Sequence, residues 1–436
     1  MAEIRAIRAI RYDLDVIGRE VFADVVTPPY DVIDEEQQGG FYARHPRNFI
    51  RVDLNRATEG DEPDNDRYSR ARRHLFDWLA EGVLTIDDEP AVYVHYQTFR
   101  DQTGAEVTRR GFLAAIRLAD YSERVVLPHE RTLRGPKEDR LRLMKATECN
   151  LSPVFFLYSD PESRVDGVLA RAIAESEAIR VQTADGIVHE LWRVAGLPNE
   201  VASALAGESV LIADGHHRYE TALAYRDFRR AAAEEADADA PYEFALGFFI
   251  NRDDPGLVVF PTHRVVHSVA SFPGLDAIAA RLGDHPEFVV ERLDPDPEGV
   301  QTALTKSGEA GPSFVLLGDG QPALVRFVGD VDSSLFAPDT PPEVRALDVA
   351  VLHEALLDGM LGISRQAQEA KTNLDYIKGF EPAWNAAESS ETQLVVLMNP
   401  TPVEQVDRVC RSGGVMPQKS TFFFPKILSG LVINPL

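Results

Sequence analysis

The residues of this 436-residue chain best suited to chemistry are Asp214-Gly215-His216-His217-Arg218, which follow a strand predicted over 209–213 and open a helix. The first backbone N–H groups of a helix lack intrahelical acceptors, and the aligned peptide dipoles make that end partly positive. A phosphate satisfies both demands. Gly215 permits a positive φ or a close approach, Arg218 presents a planar fork of donors, and His216 and His217 add donors or a proton-transfer group. The plainer alternative has Asp214 capping the helix while the histidines pack or face solvent. Two histidines, an arginine and a carboxylate at one junction favour ligand binding.

A second constellation is Leu127-Pro128-His129-Glu130-Arg131-Thr132, followed by Arg134, Lys137, Arg140, Arg142 and Lys145. In so acidic a chain these cations form a local positive surface that suits a small anion and is too short for a DNA track. Glu130 can take a proton from a substrate hydroxyl or hold a divalent cation, and His129 can position either. The competing reading is an amphipathic helix with a solvated charged face. The third group runs from Met416 to Lys426. Lys419, Ser420 and Thr421 resemble the end of a phosphate loop without its glycine-rich lead, and the aromatic run Phe422-Phe423-Phe424 reads as core. Cys pairs and an HExxH segment are missing from the sequence, so a structural or catalytic zinc site is not indicated. Magnesium needs only one or two carboxylates beside substrate phosphates, and Asp214, Glu130 and Asp31 are the candidates.

The elements that must position these residues follow from periodicity. Tyr68, Ala71, Leu75, Trp78 and Leu79 give one apolar face to a helix over 67–79. Strands are predicted at 91–100 and 111–118, turning at Gly104, and again at 154–158 and 244–250. Residues 48–52 read as extended. A turn at Asp253-Asp254-Pro255-Gly256 is predicted to fold 257–260 back onto 244–250 as a hairpin. The helix after Gly215 should reach about residue 236, helices and strands should alternate from 275 to 327, and one helix should cover 347–357.

A net charge of -25 opposes broad attraction to nucleic acid, while 44% apolar and 26% charged residues describe an ordinary globular protein. Two distant cysteines, Cys149 and Cys410, give no disulfide framework. The alternating N-terminus reads as a strand rather than a signal peptide, and apolar runs fall short of a membrane span, which together point to the cytoplasm. Oligomeric state is left open.

Pro28-Pro29-Tyr30-Asp31-Val32-Ile33, His45-Pro46-Arg47-Asn48, His129 to Thr132, Ala213 to Tyr219, Pro261-Thr262-His263-Arg264 and Met416 to Lys426 together resemble the successive signatures of the domain-of-unknown-function family 1015. The resemblance implies an α/β fold with a mixed-sheet core like that of ParB and sulfiredoxin, with large insertions. Motifs thin out beyond about residue 271, which sets a boundary near 270 between a phosphate-binding lobe over 1–270 and a smaller α/β lobe over 271–436. Free serine kinases of that fold carry a similar Asp-Gly-His-His-Arg turn, which implies that Gly215, His216, His217 and Arg218 contact nucleotide phosphates. Asp31, Asn48, Arg131, Thr132, Lys137, Arg140, His263, Arg264, Lys419 and Ser420 are then candidate substrate or accessory residues. The functional expectation is a phosphotransferase using ATP or ADP with Mg2+ to modify a hydroxyl-bearing metabolite such as serine, with Glu130 and His129 catalytic. The alternatives are a non-catalytic nucleotide sensor and a magnesium-dependent phosphatase. Nothing in the sequence resembles a helix-turn-helix DNA reader.

Overall fold

The computed structural model describes residues 1–436 except Pro63, Arg131, Leu133, Ala236, Val331, Gln418 and the side chains of Arg134 and Pro136. The chain divides into two compact units. Unit 1 comprises 1–128, 132–258 and 425–436, and unit 2 comprises 129–131 and 259–424. Both are mixed assemblies of helices and sheets.

Unit 1 is built on a sheet of nine strands among the described residues. Eight run in the order Val126–Leu127, Val210–Asp214, Val154–Tyr158, Phe244–Asn251, Glu106–Arg117, Ala91–Arg100, Val188–Ala195 and Ile179–Gln182, and Ile4–Arg5 pairs with Glu106–Arg117. Val154–Tyr158 is parallel to Phe244–Asn251 but antiparallel to Val210–Asp214, so the sheet is mixed. Alternation divides its faces. Val92, Val94, Phe112, Ala114, Phe156 and Ile212 form an apolar core with residues of the helices Arg164–Ile173, Asn199–Leu205 and His216–Ala232. On the opposite parity stand buried polar residues, among them Tyr93, His95 and Gln97. The predicted turn at Gly104 joins two long strands whose register opens at Arg100↔Glu106, and its φ of 81° is the left-handed conformation glycine tolerates.

The helix Arg67–Ala80 begins at Asp66, whose side chain accepts from the Tyr68 and Ser69 N–H groups, and buries Tyr68, Ala71, Leu75 and Trp78 as their spacing predicts. Residues 48–52 are not extended: Ile50–Asp53 is a short helix. Its turn is set by Asn48, whose Oδ1 accepts from Ile50 N–H at 2.9 Å while Nδ2 donates to the Asp24 carbonyl at 2.6 Å. This local side-chain capping overrides the β-branched composition.

Among the described residues unit 2 holds a six-stranded sheet in the order Phe288–Arg292, Ala323–Phe327, Ser313–Leu317, Leu394–Met398, Thr262–Val266 and Leu374–Lys378, with every pairing antiparallel. The strand Val258–Phe260 does not return onto Phe244–Asn251. It pairs with Phe422–Phe424, and Phe260 stacks on Phe424 with ring centroids 4.4 Å apart. The Asp254 turn forms, but aromatic stacking with a distant strand takes the place of the hairpin. The single helix predicted over 347–357 is instead a turn at Asp348–Ala350 continued by a π-helix, Val351–Asp358.

Candidate functional site

The strand Val210–Asp214 ends in a register shift between Ile212 and Asp214, a bulge at Ala213 of the kind that re-aims the side chain after it. Gly215 follows with φ 93° and caps the 17-residue helix His216–Ala232 without a side-chain hydrogen bond. A Cβ on Gly215 would fall 2.8 Å from Arg218 Nε, so glycine is required both by the backbone and by the arginine folded back against it. The helix is anchored one turn in by Tyr219, whose hydroxyl donates to Ala119 O at 2.8 Å and accepts from Ala119 N–H at 3.0 Å.

Arg218 is 8% exposed. Its Nη1 donates to the Pro153 carbonyl and its Nη2 to Asp214 Oδ2, while Nε is buried with no acceptor among the described residues. The other Asp214 oxygen, Oδ1, accepts from Lys426 Nζ. Burial opposes the Arg218 charge, but Asp214, Asp31, Tyr30 and Asp53 together hold its pKa above the ordinary arginine value. His216 is buried and His217 half-buried on the first turn, the His217 carbonyl accepting from Thr221 Oγ1 at 2.7 Å.

The Pro-Pro-Tyr-Asp motif joins this cluster. Tyr30 lies under the Arg140 guanidinium, 4.2 Å from ring centroid to Cζ, and burial, then Asp31, pushes its hydroxyl pKa upward. Arg140 donates to the Asp53 carbonyl at 2.6 Å and also binds Asp139. Burial raises the Asp53 carboxyl pKa although Arg140 lies beside it, and Ser429 donates to it at 2.8 Å. Tyr30, Asp53, Arg140, Ser152, Arg218 and Thr221 contribute to the lining of a cavity of about 40 Å³, enough for one or two waters. On the next turn of the Gly215 helix, Glu220 accepts from Thr132 Oγ1 at 2.6 Å and Lys137 Nζ at 2.7 Å.

Asp31, Thr132, Lys137, Arg140 and 214–218 therefore all belong to unit 1, where Asp31 lies in electrostatic reach of Arg218 while Thr132 and Lys137 bond Glu220 one turn further along the helix. Asn48 is committed to its structural cap. The remaining described candidates belong to unit 2, and Arg131 lies outside the described residues. His129 is buried, its Nε2 3.0 Å from Thr421 Oγ1 and 3.9 Å from Glu130 Oε1, and residue 130 bridges to Met416. Arg264, 1% exposed, donates to His353 Nε2 at 3.3 Å, to the Lys419 carbonyl at 3.2 Å and to the Thr262 carbonyl. His263 accepts from Met398 N–H at 3.0 Å, and burial lowers its pKa to about 4. Ser420 Oγ donates to the Pro417 carbonyl at 2.5 Å. Of the three candidate metal ligands, Asp31 and Asp214 belong to unit 1 and Glu130 to unit 2. Among the described residues no His, Cys, Asp and Glu side chains gather in threes suited to a metal ion, and no helix is long and apolar enough to cross a membrane.

Lys426, Asp53 and Tyr30 join the cluster although none is among the candidate residues that the sequence singles out. Lys426 closes the aromatic C-terminal motif, so its place in a recognisable segment was the available signal; Asp53 has none.

The chain belongs to a family described as protein of unknown function (DUF1015), whose signature matches residues 4–350. Among curated proteins none matches. Solved structures it is similar to include a free serine kinase in complex with AMP, at 13% identity and TM-score 0.35 over 69% of this chain and 83% of that one. Others are a conserved hypothetical protein from Pyrococcus furiosus, at 16% identity and TM-score 0.33 over 70% and 89%, and C-terminally truncated SbnI from Staphylococcus aureus, at 9% and 0.34 over 73% and 86%.

Proposed function

We propose that this chain binds a nucleotide through its phosphates at the Gly215 turn, a phosphate element of the ParB and sulfiredoxin type. We further propose that it transfers a phosphoryl group to a small hydroxyl-bearing metabolite such as serine. The observation that carries the reading is Arg218, a buried guanidinium folded against a glycine-capped helix start, with Nε lacking an acceptor among the described residues. A buried donor left without an acceptor costs about 1–3 kcal/mol, and an anion at the helix start is the kind of ligand that would offset it. Phosphoryl transfer demands mainly positioning and neutralisation of charge, which the helix start, Arg218 and Lys426 supply. Magnesium would arrive with the nucleotide phosphates. Within unit 1 the exposed carboxylate of Asp31, in electrostatic reach of Arg218, is suited to hold it, whereas both Asp214 oxygens accept from cations.

Calorimetric titration with ATP and ADP in the presence of Mg2+, followed by detection of phosphorylated products from a pool of hydroxyl-bearing metabolites, tests both halves. Binding with product formation is expected. Binding without turnover would leave a nucleotide sensor, and absence of binding would remove the reading altogether.

A further inference from the structure

The unit 1 sheet buries an arginine that the phosphate turn does not itself contain. Arg109, fully buried, donates through Nη2 to the Pro425 carbonyl and to Gln97 Oε1, both at 2.5 Å. Gln97, also fully buried on the neighbouring strand opposite Arg109, donates through Nε2 to the Lys426 carbonyl at 3.1 Å. Two consecutive backbone carbonyls, 425 and 426, are thus fixed by side chains rooted in the sheet. The side chain of that same Lys426 reaches Asp214.

Burying a guanidinium is expensive, and burial lowers the Arg109 pKa to about 9 although Asp254 and Asp214 support its charge. Apolar side chains would hold a C-terminal segment against a sheet at less cost. What the polar pair adds is placement: hydrogen bonds to carbonyls 425 and 426 fix where the lysine stem departs, and hence where its ammonium stands. Arg218 is less adjustable, because two of its three nitrogens are tied to Pro153 and Asp214 and only Nε is left to an anion. A lysine ammonium on a flexible stem can stay near Asp214 while turning its donors toward an incoming anion.

Resting on the nucleotide reading above, we propose that Lys426 is the cation that meets the ligand's phosphate beside Gly215, and that Arg109 and Gln97 are positioning residues acting through it. Asp214 then holds the ammonium in place between binding events. The C-terminal strand end belongs to the anion site, not only to the scaffold.

The test compares ADP with adenosine, which lacks the phosphates, by calorimetry on the full chain. Lys426→Met is expected to weaken ADP about tenfold or more, the loss of one charge-assisted hydrogen bond, and to leave adenosine unchanged. Lys426→Arg is expected to recover part of the loss, and Gln97→Met to weaken ADP several-fold with adenosine again unchanged. The salt dependence of ADP affinity should flatten in Lys426→Met. Equal affinities for wild type and Lys426→Met would overturn the proposal, as would equal losses for ADP and adenosine, which mark a merely structural role. Failure of the wild type itself to bind ADP overturns the nucleotide reading, and this inference with it.

Discussion

Arg218 in unit 1 and Arg264 in unit 2 are both nearly inaccessible guanidiniums, yet their surroundings treat the charge in opposite ways. Arg218 is paired with Asp214 and lies within reach of Asp31 and Asp53, which hold its pKa up. Arg264 has no carboxylate within ion-pair distance among the described residues, and Tyr376 and Glu130, which favour its charge, do not offset its burial. It donates to two backbone carbonyls and to His353, and burial lowers its pKa to about 10. His353 in turn bonds Gln368 through Nδ1 at 2.7 Å, so accepting at Nε2 fixes the imidazole as its neutral Nδ1–H form. Arg264 is a clamp made of neutral acceptors. Arg218 belongs to a group of balanced charges, which an arriving anion can rearrange, and that difference is why the candidate site is placed in unit 1.

The comparison breaks most readily by removing one partner from each cluster. Asp214→Ala leaves Arg218 and Lys426 without their carboxylate and should destabilise unit 1 by about 3–5 kcal/mol. Arg264→Met removes a costly buried charge along with its hydrogen bonds and should destabilise unit 2 by only about 1–3 kcal/mol. Urea unfolding, followed by signals assigned to each unit, measures both. A larger loss for Arg264→Met would reverse the distinction between balanced charge and neutral clamp.

Acid should treat the two units alike where the arginines differ. Burial lowers the pKa of His189 to about 3, of His353 to about 3 and of His263 to about 4, and holds His95 well below the usual histidine value. His95 Nε2 and His189 Nδ1 approach to 3.2 Å in unit 1, and the other two belong to unit 2. With folded values depressed, the unfolded chain binds more protons below about pH 6.5, so stability is fully present above that pH and falls as pH drops toward the folded values. At pH 5.5 the two histidines of each unit should together cost about 3 kcal/mol. Unfolding midpoints at pH 7.5 and 5.5 check this, and unchanged midpoints would mean that the imidazoles become charged without penalty.

The smallest effect is expected from Lys137→Met. Its bond to Glu220 is made at the surface, with side-chain exposures of 34% and 21%, so stability should change by no more than about 0.5–1 kcal/mol. If the basic segment serves the site, ADP affinity in this variant should fall more than stability does, and calorimetry beside thermal unfolding separates the two.

Local signals made much of the scaffold legible. Gly104, the apolar face over 67–79 and Asp214-Gly215 each act through interactions a few residues long, and the structure places the hairpin, the helix and the strand-to-helix junction there. Residues 48–52 read wrongly because an asparagine cap outweighs β-branched composition. The π-helix at Val351–Asp358 differs from an α-helix in hydrogen-bond spacing, which apolar periodicity over so short a span does not resolve.

By itself the sequence determined the chemistry available at the Gly215 turn, since a glycine before a helix and an arginine in its first turn act over neighbouring positions. Only the tertiary structure decided which partners that chemistry meets. Tyr30, Arg140 and Lys426 reach the turn from distant parts of the chain, and Val258–Phe260 leaves its sequence neighbour for Phe422–Phe424. The physical reason is that caps and turns are paid for locally, whereas strand pairing and buried-charge compensation are settled by which surfaces and charges the whole fold brings together.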